Sequence, residues 1–174
     1  MKNHYINNAD FLAALVEYKR LVEESVVNET PRPKIPNYIG ECFLKLANNL
    51  AKKPNFCLYT YKDEMISDAI ENCIMYFENF NPEKSNNPFA YFTQVCWYAF
   101  LRRIAKEKKQ QYVKYKATEN FGILDEEELL ELDDGTVNQI QIYDNLYEFI
   151  EKYESNVKEK KGVAKKRKGI ENFL

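Results

Sequence analysis

Apolar residues recur at three- and four-residue intervals through the first hundred positions, interrupted by prolines and polar breaks, and this pattern predicts successive amphipathic helices. Asn8 to Glu24 reads as the first, with Phe11, Leu12, Leu15, Val16 and Val22 toward one side. The stretch Asn28-Glu29-Thr30-Pro31-Arg32-Pro33 ends it, because proline lacks a backbone donor and disfavours helix in the residue before it. A second helix is expected after Pro36, with Ile39, Phe43, Leu46, Ala47 and Leu50 inward, stopping near Pro54. Tyr61 to Phe77 gives the clearest helical spacing, through Met65, Ile66, Ala69, Ile70, Cys73, Ile74 and Phe77.

The loop Asn79-Phe80-Asn81-Pro82 and the polar stretch through Asn87 break that third helix. Asn87-Pro88 then starts a fourth, asparagine as cap and proline at the first helical position. Phe89, Phe92, Val95, Cys96, Ala99 and Ile104 carry it forward, and no glycine or proline interrupts it before Gly122, so it continues toward Lys116. Val137 to Tyr153 offers one more amphipathic helix through Ile140, Tyr143, Leu146, Tyr147 and Ile150. The last fifteen residues carry too much charge to fold alone and read as a flexible tail. The expected fold class is therefore all-α: a compact helical bundle followed by a C-terminal helix and a tail. The expected parts are a helical domain over 1–116, an acidic linker with its helix over 117–157, and a basic tail over 158–174.

Composition narrows the chemistry. At 174 residues and 45% hydrophobic content, the chain has material for one core. Five glycines and no GxGxxG or GxxxxGK[ST] pattern leave no phosphate-cradling loop. The cysteines Cys42, Cys57, Cys73 and Cys96 form no CxxC pair, and His4 is the sole histidine, so no metal or cofactor site is expected. The cysteines read as reduced, buried small hydrophobes. With no serine or cysteine nucleophile next to a histidine, an enzyme is not expected, although a carboxylate nuclease stays formally open. No apolar run approaches the ~18 residues of a membrane span, and no signal peptide is read at the start.

The net charge of −2 conceals blocks of opposite sign. Arg102 to Lys116 holds seven bases and one acid, Asp125 to Asp134 seven acids and no base, and Lys158 to Lys168 seven bases and one acid. Such asymmetry points to surfaces with different partners. The acidic block has no spacing suited to a calcium loop and reads as a solvated spacer.

The fourth helix concentrates aromatics: Phe89, Tyr91, Phe92, Trp97, Tyr98 and Phe100, with Phe80 just before the loop. One helix face buries about half of a helix, so a single core does not hide all of them. Tyr91, Tyr98 and Trp97 are expected beside Arg102, Arg103 and Lys106. Rings next to cations suit single-stranded nucleic acid, since rings stack on unpaired bases while cations hold phosphates. An aromatic core with a solvated basic end is the competing reading, and both remain open on composition alone.

Several segments resemble region 2 of bacterial sigma factors. Glu64-Met65-Ile66-Ser67-Asp68-Ala69-Ile70-Glu71, then Phe80 eleven residues before Tyr91, follow the order Asp-Leu-Ile-Gln-Glu-Gly, Phe, Tyr-Ala-Thr-Trp-Trp-Ile-Arg-Gln-Ala of primary sigmas. Leu46-Ala47-Asn48-Asn49-Leu50-Ala51-Lys52-Lys53 is similar to the helix that precedes them. Glu64 to Asp68, Asn87 to Gln94 and Arg103 to Glu107 are similar to motifs of the late-transcription sigma factors of T-even-type phages. The resemblance covers roughly residues 8 to 116.

This resemblance implies partners and roles. Glu64, Ser67, Asp68 and Glu71 fall where region 2 docks on the coiled coil of the largest subunit of bacterial core RNA polymerase, a steered, salt-sensitive contact. Tyr91, Phe92, Thr93, Gln94 and Trp97 fall in or beside the promoter-melting segment, where an aromatic captures a flipped base. Tyr98 and Leu101 fall near positions reading the upstream edge of the −10 element. Arg102, Arg103, Lys106, Lys108 and Lys109 would grip phosphates of promoter DNA and make affinity salt-dependent. The implied setting is the cytoplasm of an infected bacterium, with the free protein a monomer.

The departures are specific. The Trp-Trp pair of primary sigmas is Gln94-Val95 here, and Tyr98 and Leu101 replace the Gln and Thr base readers. No second helix-turn-helix domain follows residue 116, which argues against recognition of a −35 element. The chain ends Ile170-Glu171-Asn172-Phe173-Leu174, and Ile170, Phe173 and Leu174 are similar to the short apolar hooks that enter a pocket of DNA sliding clamps. Arg167 stands where such hooks usually carry Gln, and a frayed terminus is the competing reading. The alternative function is a DNA-binding regulator or polymerase-associated adaptor that does not open promoters.

Overall fold

In the computed structural model of the protein, which describes residues 6–120 and 145–159, Asn7 opens the first helix by capping it. Its Oδ1 accepts the Ala9 N–H at 3.1 Å, pairing one of the donors that every helix start leaves open. This helix, α1 (Asn8–Val27), buries Phe11, Leu15 and Tyr18. Val16, expected inward, is 45% exposed. Phe11, Leu15 and Tyr18 follow the 3.6-residue repeat, and Val16 is turned about 100° away from Leu15. Tyr18 can be buried because its hydroxyl donates to the Pro33 carbonyl at 2.9 Å. Past Val27 the chain turns at Glu29, whose φ of 52° lies in the left-handed region usually given to Gly or Asn.

Helix α2 (Asn37–Ala51) buries Ile39, Cys42, Phe43, Leu46, Ala47, Leu50 and Ala51, which includes every position expected inward. Helix α3 (Lys62–Tyr76) buries Met65, Ala69 and Cys73 and tightens into a 3-10 turn at Phe77–Asn79. The chain returns through Phe80, a buried residue, and Lys19 on α1 anchors this return by donating to the carbonyls of Glu78 and Phe80.

The start of α4 (Pro88–Asn120) is tied down from two sides. Asn87 Oδ1 accepts the Ala90 N–H at 3.0 Å, and Asn8 Oδ1 accepts the Phe89 N–H at 3.2 Å. Asn8 also donates to the Asn86 carbonyl at 3.0 Å, so one side chain links the starts of α1 and α4. Asn87→Ala should destabilise the fold by about 1 kcal/mol, the usual worth of a side-chain cap. Chemical denaturation would read this as a lower midpoint at unchanged slope.

The chain divides into two compact units between Ala105 and Lys106. The first unit is an all-α bundle around an aromatic core. Phe92 is fully buried there, its ring centroid 4.8 Å from Phe43, 5.6 Å from Phe11 and 5.9 Å from Phe80. A second nest sets Phe56 edge-on against Trp97 at 4.8 Å and Phe100 at 5.0 Å. Edge and tilted contacts of this kind add to the gain from area burial.

The second unit contains the end of α4 and a helix over 145–159, α5. Tyr112 stacks on Tyr153 at 4.5 Å and donates its hydroxyl to Glu154 Oε1 at 2.9 Å, while Tyr115 meets Phe149 edge-on at 5.3 Å. Leu146 and Ile150 are buried. The part of the expected last helix before residue 145, the acidic block and the tail with Ile170, Phe173 and Leu174 lie outside the described residues.

Among the described residues there is no strand, no group of three or more His, Cys, Asp or Glu able to hold a metal ion, and no helix long and apolar enough to cross a membrane. Cys42, Cys73 and Cys96 are buried as expected, but Cys57 is exposed. The Cys96 sulfur, 3.5 Å away, and burial together push the Cys73 thiol well above its ordinary pKa.

Candidate nucleic-acid interface

Helix α4 resolves its aromatics by angle. With ~100° per residue, Phe92, Cys96, Ala99 and Phe100 point into the first unit's core. Gln94, Tyr98, Leu101 and Arg102 lie on the outward side and are exposed, Tyr98 by 51% and Leu101 by 43%. Tyr98 and Arg102 stand one turn apart, i and i+4, so ring and guanidinium share one patch. Gln94 Nε2 lies 3.4 Å from the Tyr98 hydroxyl.

Tyr91 is half-buried at the margin of this patch. Its ring rests on Phe80 at 5.3 Å, and its hydroxyl reaches toward the Tyr76 carbonyl at 3.5 Å. Desolvation raises the pKa of this phenol, which therefore stays a proton donor. Tyr76, on α3, is itself 41% exposed. Its place at the end of an amphipathic pattern gave no signal in the sequence, yet its backbone carbonyl is what the Tyr91 hydroxyl faces.

Phe92 corrects the expectation that this ring captures a flipped base. Phe11, Phe43, Phe80 and Tyr91 enclose it, and a fully buried ring offers no face for stacking. Trp97 is half-buried against Phe56. The Thr93 hydroxyl donates to the Phe89 carbonyl at 2.7 Å, one turn back in its own helix.

On α3, Glu64, Ser67, Asp68 and Glu71 follow i, i+3, i+4, i+7 and share one side. Glu64, Ser67 and Glu71 are exposed. Asp68 is engaged differently from the free contact expected of it. Both its carboxylate oxygens accept from Arg103, Oδ2 from Nε and Oδ1 from Nη2, each at 2.6 Å. Two residues assigned to different partners are thus paired with one another. One turn along, Arg102 Nη2 donates to Asn72 Oδ1 at 2.6 Å. Asn72, unremarkable in the sequence, is found only through this contact.

No family model matches the chain, and no curated protein matches it.

In the second unit, Lys106, Lys108 and Lys109 are exposed. Lys106, Lys109, Gln110, Val113 and Lys114 line a shallow concavity along one side of the helix. Lys116, by contrast, sits 2.6 Å from Glu119 and 3.7 Å from Glu154. The adjacent Glu119 carboxylate raises its pKa, so its charge is matched locally.

Proposed function

We propose that the protein is a sigma-type initiation subunit of the phage late-transcription kind. It docks on bacterial core RNA polymerase through the acidic side of α3 and engages an AT-rich, −10-like element through α4. The observation that carries this reading is the exposed Tyr98–Arg102 patch on α4, where a half-exposed ring adjoins a cation. Such a pair stacks on an unpaired base and holds its phosphate. The exposed Glu64, Ser67 and Glu71 on α3 supply a separate acidic surface for a basic partner, steered and salt-sensitive. Lys106, Lys108 and Lys109 add phosphate contacts. The tail residues Ile170, Phe173 and Leu174 are assigned by their pattern alone to a sliding clamp.

A second reading has one observation in its favour. With Gln94-Val95 in place of the Trp pair and Phe92 in the core, the melting segment retains few rings with an open face. A DNA-binding adaptor that contacts polymerase without opening promoters fits that deficit. One experiment separates the two: tagged protein is incubated with bacterial core polymerase and an AT-rich promoter, then probed with permanganate. Co-purification with core and reactive thymines that require the protein are expected for the initiation subunit. Core binding with unreactive thymines selects the adaptor, and failure to bind core removes both.

A further inference from the structure

The structure pairs two adjacent arginines of α4 with two residues one turn apart on α3, Arg103 with Asp68 and Arg102 with Asn72. The partners differ in charge, and that difference divides the work. Asp68 is a carboxylate whose two oxygens both face the Arg103 fork, and the paired side chains are only 17% and 27% exposed. A bidentate pair so shielded is strongly directional, and its net charge is near zero. Asn72 orients the Arg102 guanidinium without cancelling its charge. Arg102 is exposed and Arg103 is not fully so.

We infer that Asp68 and Arg103 are positioning residues that fix α4 against α3, and that Arg102 alone of the two arginines acts on phosphate. This rests on the nucleic-acid reading of α4 and revises it. Asp68 does not await a basic partner on polymerase, and Arg103 does not await a phosphate. Their pair instead sets the rotation of α4, and hence the outward direction of Tyr98 and Arg102. Presenting Arg103 to DNA would require withdrawing it from a partly buried carboxylate. Separating such a pair is costly because it leaves one partner's charge shielded from water and uncompensated.

The two roles predict opposite signs for one substitution. If Arg103 is a phosphate contact restrained by Asp68, then Asp68→Asn frees it, raising affinity for single-stranded DNA and steepening the salt dependence. If the pair positions α4, Asp68→Asn lowers affinity on the order of fivefold, within the range of coupling between contacting residues, and leaves the salt slope unchanged.

The test is fluorescence anisotropy of a labelled AT-rich single-stranded oligonucleotide with full-length wild type, Asp68→Asn, Arg103→Gln, the double variant and Arg102→Gln, each across a salt series. The expected result is a similar loss for each single change at positions 68 and 103, and a double variant no weaker than either. Arg102→Gln should reduce the salt slope by about 0.7, the share of one phosphate on a single strand. Tighter binding by Asp68→Asn, or a slope reduced by Arg103→Gln, overturns the inference.

A thermal-denaturation cycle on the same variants gives a readout independent of DNA. Non-additive losses for Asp68→Asn and Arg103→Gln support the pair as the element fixing α4, and additive losses overturn it. Wild-type protein that does not bind the oligonucleotide removes the phosphate role of Arg102 and the reading of α4, while the denaturation cycle still decides the pair.

Discussion

Phe92→Ala is expected to lower the melting temperature by about 12–40 °C, the largest stability effect of any single change named for this chain. Emptying a phenylalanine site in a packed core costs about 3–5 kcal/mol, from lost transfer energy and from the cavity left behind. In a unit of this size each kcal/mol moves the midpoint by about 4–8 °C. Phe92 has no exposed surface, and its ring is in contact range of Phe11, Phe43, Phe80 and Tyr91. Those rings come from α1, α2, the loop after α3 and α4 itself, so relaxation cannot close the gap without moving several elements. Calorimetry checks the shift. A Phe92→Ala variant with wild-type melting but impaired DNA binding would show that the ring acts on a base after all. Phe92→Leu, which keeps much of the volume, should lose far less stability.

Tyr98→Ala is expected to behave in the opposite way. Its ring is 51% exposed, so truncation removes little core packing and should change stability by less than about 0.5 kcal/mol. Base–aromatic stacking is worth about 1–3 kcal/mol per base. Affinity for an AT-rich single strand should therefore fall about 5- to 150-fold. Tyr98→Phe preserves the ring and should keep most of that affinity, since only the hydroxyl near Gln94 is lost. Anisotropy titrations of the two variants provide the comparison. Equal affinity of Tyr98→Ala and wild type would remove Tyr98 from the interface. The contrast with Phe92 matters because the two aromatics are six positions apart on one helix, and only their angular placement separates core from surface.

Much of the architecture was legible in the order of residues. Asn87-Pro88 announced the start of α4, and Asn87 caps it as its chemistry requires. The α2 positions expected inward, Ile39, Phe43, Leu46, Ala47 and Leu50, are all buried because that helix is strongly two-faced, while Tyr38 and Leu44 lie on its exposed side. In α1 the pattern was weaker. Leu12, Val16 and Val22 compete with Tyr18, and no periodicity rule predicts that Pro33 will supply an acceptor for a buried phenol. The six aromatics between Phe89 and Phe100 of α4 posed a harder case. Their number showed that the core could not take all of them, but not which would stay out.

The candidate site divides along the same line. Exposure of Tyr98, Leu101 and Arg102 follows from the helical phase of α4, and so does the shared side of Glu64, Ser67 and Glu71 on α3. The Asp68–Arg103 pair does not follow, because its partners are thirty-five positions apart and each looks like a free charge on its own helix. Asn72 and Tyr76 gave no signal for the same reason: each matters through a residue on another helix.

The sequence by itself determined the all-α class, the helix starts and breaks, and the blocks of charge, since these depend on neighbours within a turn or two. Tertiary structure alone decided that Phe92 is enclosed by rings from α1, α2 and the loop after α3, and that Arg103 is matched by Asp68. The physical reason is that burial and ion pairing are properties of surfaces brought together from distant segments. The local pattern specifies what each segment can offer, and only packing specifies what it meets.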